Sequence, residues 1–112
     1  MLSFQRLKVY QCAIELLDLA IDIVEQLPRD HAGRADQLIQ AAESVVRNIA
    51  EGAGRFFEAD SSKHYKIARG EAMECAASLD ILKLRKLVAL ERYERGIELL
   101  ESVVAMLTKM IK

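Results

Sequence analysis

Apolar residues recur along this chain at steps of three and four, the interval that stacks side chains along one face of an α-helix. They do so in four blocks separated by short polar or glycine-containing breaks. The first block, Leu7, Tyr10, Ile14, Leu17, Ile21 and Val24, predicts a helix from about Ser3 to Gln26 that packs nearly parallel to its neighbours. Pro28 lacks an amide hydrogen and clashes with the preceding turn, so it ends this helix, and the polar run with Gly33 reads as the first loop. Leu38, Ala42, Val45 and Ile49 predict a second helix from about Arg34 or Ala35 to Gly52, closed by Gly52 and Gly54. Tyr65, Ala68, Ala72, Cys75, Leu79 and Leu82 predict a third from about Ser62 to Val88, with Asp60, Ser61 or Ser62 able to cap it. After a break at Ala89 and Leu90, the line Tyr93, Ile97, Leu100, Val104, Leu107 and Ile111 predicts a fourth, from about Glu91 to Ile111. The chain is expected to be all-α, one domain over residues 1–112.

Two of these helices are wider than one seam requires. Val9, Ala13, Leu16, Ala20, Ile23 and Leu27 form a second apolar line on the first helix, and Leu99, Val103, Met106 and Met110 a second line on the fourth. Large exposed apolar patches are uncommon on soluble monomers, so a helix this wide is either central in its own bundle or buries its second line against another subunit. The second reading predicts self-association, with helices one and four as the candidates for subunit contacts. Helix three instead offers small residues, Ala68, Gly70, Ala72, Ala76 and Ala77, that let a neighbouring helix approach closely. On helix two, Ser44, Asn48, Glu51 and Arg55 repeat the helical spacing one position from the apolar line. This short-chained polar stripe reads first as a seam that fixes helix register. If Glu51 and Arg69 stand at similar height in the hairpin of helices two and three, they join in an ion pair with Asn48 or Arg55, giving a structural polar network of Asn48, Glu51, Arg55 and Arg69.

Charge and chemistry narrow the function. The formal net charge is −1, which implies no whole-molecule attraction to nucleic acid or an anionic membrane. The distribution is uneven: residues 1–60 sum to −4 and Ser61 to Leu90 to +3. Lys83, Arg85 and Lys86 cluster near the end of helix three, where a helix terminus favours cations in any case; they are also the candidate phosphate-binding, and hence nucleic-acid-binding, residues. A ring of subunits would repeat that patch and strengthen weak contacts. Neither His31 nor His64 has the Glu three positions before it that a di-iron bundle uses. His64 and Cys75 would stand roughly 16 Å apart on one helix, so no zinc site is expected. Ser44 and Cys75 have no neighbouring base, and no glycine-rich phosphate loop is present, so neither catalysis nor a cofactor is expected. Cys12 and Cys75, both in apolar helical runs, read as reduced core thiols. With no leader pattern and no uncharged apolar run of about 18 residues, the expected location is the cytoplasm.

The order FQRLKVYQCA, LPRD, SVVRNIAEGAGR and HYKIARGEAMEC resembles the bacterial four-helix-bundle proteins encoded inside intervening sequences of large-subunit ribosomal RNA genes. That group also includes proteins similar to the accessory variability determinant of diversity-generating retroelements, which binds its reverse transcriptase and nucleic acid through a basic surface. The resemblance implies an antiparallel up-down-up-down bundle and a homopentameric ring. It places the family motif on Asn48, Glu51, Gly52, Arg55, Ala68, Arg69, Gly70 and Glu74. Two departures stand out: Glu71 occupies a position where the family pattern often has Ser, and this chain lacks the strong positive charge of the retroelement proteins. The expected function is therefore a non-catalytic, oligomeric binding protein whose partner is RNA or an RNA-handling protein. The alternative is a structural or protein-interaction oligomer that binds no nucleic acid.

Overall fold

Four helices emerge where the spacing places them, in a computed structural model that describes every residue from Met1 to Lys112. They are α1 (Lys8–Glu25), α2 (Ala32–Ala53), α3 (Glu58–Leu84) and α4 (Leu90–Met110). Helix α1 packs on α2 and α4, and α3 packs on α2 and α4, with no contact across either diagonal. This is an up-down-up-down bundle, 43 × 24 × 21 Å in extent.

The helix ends differ from the spacing-based bounds for local reasons. The first helix starts at Lys8 because Leu7 is extended, and Ser3–Arg6 form a separate 3-10 turn. In that turn the Leu2 amide donates to the Gln5 side-chain oxygen at 2.8 Å, and Phe4 meets Tyr10 edge-on at 5.0 Å between ring centres. Gly33 lies inside α2 rather than in the loop, since a 3-10 turn over Arg29–His31 feeds directly into the helix. Helix α3 begins one turn earlier than expected, at Glu58, with Phe57 before it and no side-chain cap. Glu58 and Asp60 fall in its first turn, where carboxylates complement the unpaired amides. Asp60, Ser61 and Ser62 therefore do not cap it; Ser62 is buried and accepts the Lys112 amide at 2.9 Å.

The other end of α3 closes with paired backbone bonds, Leu87 N–H to Leu82 O at 2.8 Å and Lys86 N–H to Lys83 O at 3.0 Å. This arrangement requires a left-handed residue after the helix, normally glycine. Here it is Lys86, at φ 61°. Lys86→Gly should thus stabilise the fold by about 1 kcal/mol, the steric cost of that conformation for an L-residue; a urea titration of the two proteins measures it.

The core unites the expected lines of α2 and α3 without exception: Leu38, Ala42, Val45 and Ile49 face Ala68, Ala72, Cys75, Leu79 and Leu82. On α1 the roles of the two lines are exchanged. Val9, Ala13, Leu16, Ala20 and Ile23 are the buried ones, whereas Ile14 and Ile21 remain 41% and 39% exposed on the shoulder toward α2. On α4 the buried residues, Gly96, Leu99, Leu100, Val103 and Leu107, draw on both lines.

Candidate nucleic-acid interface and the polar seam

The polar stripe of α2 does form a seam with α3, but with different partners. The Asn48 amide nitrogen donates to the Ser44 carbonyl at 2.9 Å and to its hydroxyl at 3.1 Å. That leaves Asn48 Oδ1 as the acceptor facing His64 Nδ1 at 3.1 Å, which assigns the ring proton to Nδ1. The Ser44 hydroxyl also lies near the Glu71 carboxylate, which stands beside Glu74. Burial and the neighbouring Glu74 raise the Glu71 carboxyl above its ordinary range, and the Ser44 hydroxyl opposes the shift. Ser44, Asn48 and His64 thus form one hydrogen-bonded ladder across the α2/α3 seam, with the Glu71 carboxylate beside it.

The expected Glu51–Arg69 pair is absent. Glu51 pairs instead with Arg55 one turn on, at 2.9 Å. Arg69 turns toward α4, where its Nε donates to the Thr108 hydroxyl at 3.0 Å. The reason is height. Because α3 starts at Glu58, the turn centres near residues 55 and 56, so Glu51 stands level with Ser61, and Arg69 lies two helical turns further along. The contact of Gly52 with the Ser61 carbonyl and the pairing of Asn48 with His64 follow that same register.

The thiols offer no reactive centre. Burial, with the Glu71 and Glu74 charges, pushes Cys75 up to about 12, and burial first, then Glu15, raises Cys12. Both are protonated at neutral pH, and a thiol rather than a thiolate is a poor nucleophile and metal ligand.

Lys83, Arg85 and Lys86 are brought together as exposed residues at the α3 terminus. The Lys83 ammonium lies 4.4 Å above the centre of the Tyr93 ring, and the Tyr93 hydroxyl donates to Asp80 at 2.6 Å. The hydrogen bond to Asp80 raises the Tyr93 phenol, fixing the ring as a neutral platform under Lys83. Arg34, from the first turn of α2, joins this end through a crevice it shares with Ser78, Ile81 and Leu82. The same hairpin register that pairs Asn48 with His64 sets Arg34 beside Ser78, a signal available in the sequence once the turn is centred correctly. The ion pairs of the protein, Glu43–Arg47, Glu51–Arg55 and the Glu15–Arg95–Glu98 triad, leave these four cations out. A patch of uncompensated cations can bind phosphate without first breaking an internal pair.

Comparison with known proteins places the chain. The model of the 23S rRNA-intervening sequence protein family matches residues 5–109. The chain belongs to that family. In this member of the 23S rRNA-intervening sequence protein family, Gly52 and Ala68 of the motif are buried between α2 and α3, and Gly70 lies on the outer surface of α3. Among solved structures it is similar to a protein of unknown function from the S23 ribosomal protein family of Bacteroides thetaiotaomicron. The two share 22% sequence identity over 93% of this chain and 98% of that one, with a TM-score of 0.85. That likeness establishes the four-helix fold. No curated protein matches the sequence. No helix is long and apolar enough to cross a membrane.

Proposed function

We propose that this member of the 23S rRNA-intervening sequence protein family is a non-catalytic oligomer that engages RNA, or a protein that handles RNA, through the basic end of each bundle. The observation that carries the reading is the set of exposed or half-exposed cations, Arg34, Lys83, Arg85 and Lys86, gathered at one end from two helices and bound in no ion pair. Their number per protomer is small, which fits a protein of net charge −1 only if assembly repeats the patch. A homopentameric ring, the assembly that the family resemblance implies, would present it five times.

The experiment is a salt titration of single-stranded RNA binding by the intact protein and by the Lys83→Gln/Arg85→Gln/Lys86→Gln variant. Each phosphate neutralised on a single strand contributes about 0.7 to the slope of log K against log salt, so the triple variant should lose about 0.7 for every one of the three cations that engages a phosphate. Unchanged binding would overturn the reading. A second reading, a protein-interaction oligomer with no nucleic acid, is favoured by an apolar groove of about 320 Å³ between α3 and α4, lined by Met73, Ala76, Ile97, Leu100 and Val104. It predicts partner binding that survives high salt and is insensitive to the triple variant.

A further inference from the structure

Helices α1, α2 and α4 each have a strongly apolar inner face and a polar outer one, whereas α3 shows little contrast between the two. Its outward surface carries Gly70, Met73, Ala77, Ile81 and Leu84, all exposed. Gly70 has no internal explanation. It sits mid-helix without a positive φ, and a Cβ added there meets nothing within 4 Å. A glycine in that position weakens an isolated helix relative to alanine, so its use points to something outside the protomer that comes close to the backbone.

A complementary surface lies on the same chain. The α1 line of Leu7, Tyr10, Ile14, Leu17, Ile21 and Val24 leaves Ile14 and Ile21 exposed and is only partly buried elsewhere. Its steps of three, four, three, four and three are repeated on α3 by Ile67, Gly70, Glu74, Ala77, Ile81 and Leu84. Laid side by side and running in the same direction, the two lines set Tyr10 over Gly70 and Leu17 over Ala77, large residues over small. Leu7, Ile21 and Val24 then meet Ile67, Ile81 and Leu84, and Ile14 opposite Glu74 is the one mismatch. Charge agrees with shape: α1 exposes Asp18, Asp22 and Glu25 beside its line, the stretch from Ser61 to Leu90 is +3, and the register brings Glu25 to Arg85, which leaves Arg34, Lys83 and Lys86 as the phosphate-binding cations of an assembled ring. Within a protomer α1 and α3 do not touch, so both surfaces are available at once.

We infer that α3 of one copy docks along α1 of a second copy in a parallel, head-to-tail contact, the ring-forming interface of this protein. The contact is heterologous: each copy gives one surface and receives the other, which closes into a ring when the rotation permits. It rests on the oligomeric reading above and names the partner surface for it.

Two variants and their mixture test it, with mass read by sedimentation velocity on nuclease-treated protein and helicity by circular dichroism. Gly70→Leu has open space in the protomer, so it should keep its helicity yet fall from the assembly mass to a single copy. Ile21→Asp should do the same from the opposite surface. Each variant retains the surface that the other has lost, so an equimolar mixture should form a 1:1 pair that grows no further. Ala77→Leu probes the α3 surface again should Gly70→Leu lose helicity. An assembly that tolerates both Gly70→Leu and Ala77→Leu, or a mixture that stays monomeric, overturns the interface and leaves the oligomeric reading standing. A monomeric wild-type protein overturns both.

Discussion

Replacing Leu16 by alanine should lower the free energy of unfolding by about 3 kcal/mol, while Ile14→Ala, one half-turn away on the same helix, should cost the protomer less than about 1 kcal/mol. Leu16 is 2% exposed and sits in the central cluster, so truncation removes buried contacts and leaves a cavity bounded by α2 and α4. Ile14 is 41% exposed, so most of its surface already faces outward and the void can fill with water. Urea unfolding of both proteins in the Gly70→Leu background keeps assembly from contributing. The opposite ranking would mean that α1 is rotated about its axis, with the line through Leu7 and Ile21 turned inward. In the wild-type background the ranking should narrow, because Ile14 lies on the docking shoulder and its loss there is felt by the assembly as well as the fold.

That contrast marks where the sequence was legible and where it was not. Helices α2 and α3 each carry one continuous apolar line, and in both cases the line is the core. Helix α1 carries two adjacent lines of equal length, and periodicity alone cannot choose between them, because either can face inward at the same spacing. What decides is packing against both neighbours: Leu19 and Cys12 must lie toward α4, where Leu19 approaches Gly96 and the Cys12 thiol meets the Leu99 carbonyl at 3.6 Å. Those contacts leave the Val9–Ile23 line pointing inward. The excess apolar width was visible, and its assignment to the outside was not.

The partners across the polar seam were misplaced for a different reason. Pairing residues across a helical hairpin needs the position of the turn, and an error of a few residues there displaces every partner. Ending α2 at Gly52 and beginning α3 at Ser62 centres the hairpin near residue 57, whereas setting Glu51 opposite Arg69 requires a centre at Asp60, so the pairing already stood about three residues out of register. The absent signal was the start of α3 at Glu58, which has no side-chain cap to announce it. With the turn centred near residues 55 and 56, Asn48 meets His64 and Arg34 meets Ser78. The azimuth then follows: His64, Glu71 and Ser78 are spaced by seven and form the flank of α3 that faces α2, while Arg69 belongs to the flank facing α4. The basic cluster, by contrast, was readable as three cations within four consecutive residues at the end of α3. Only its fourth member, Arg34, required the tertiary register.

Gly52→Ala should destabilise the protein by up to about 2 kcal/mol, although alanine is the better helix former. A Cβ at residue 52 would lie 2.5 Å from Tyr65 Cε1, 2.8 Å from Tyr65 Cδ1 and 3.1 Å from the Ser61 carbonyl oxygen. Tyr65 is 8% exposed and its ring is held in the core cluster, so it cannot swing aside, and the carbonyl belongs to the first turns of α3. The remaining response is for α2 and α3 to separate at this end, an overpacking cost of roughly 1–3 kcal/mol that outweighs the ~1 kcal/mol of helix propensity gained. The other mid-helix glycines provide the controls. Gly70→Ala meets open space and should stabilise the isolated protomer by about 1 kcal/mol. At Gly96 the nearest atom, at 2.7 Å, is the mobile Cδ1 of Leu79, so alanine there should fall between the two. Thermal unfolding of the three variants should therefore rank them Gly70→Ala, Gly96→Ala, Gly52→Ala in descending order. A Gly52→Ala as stabilising as Gly70→Ala would mean that α2 and α3 are not in van der Waals contact at this crossing, and that the buried glycine of the motif answers to some demand other than the close approach of the two helices.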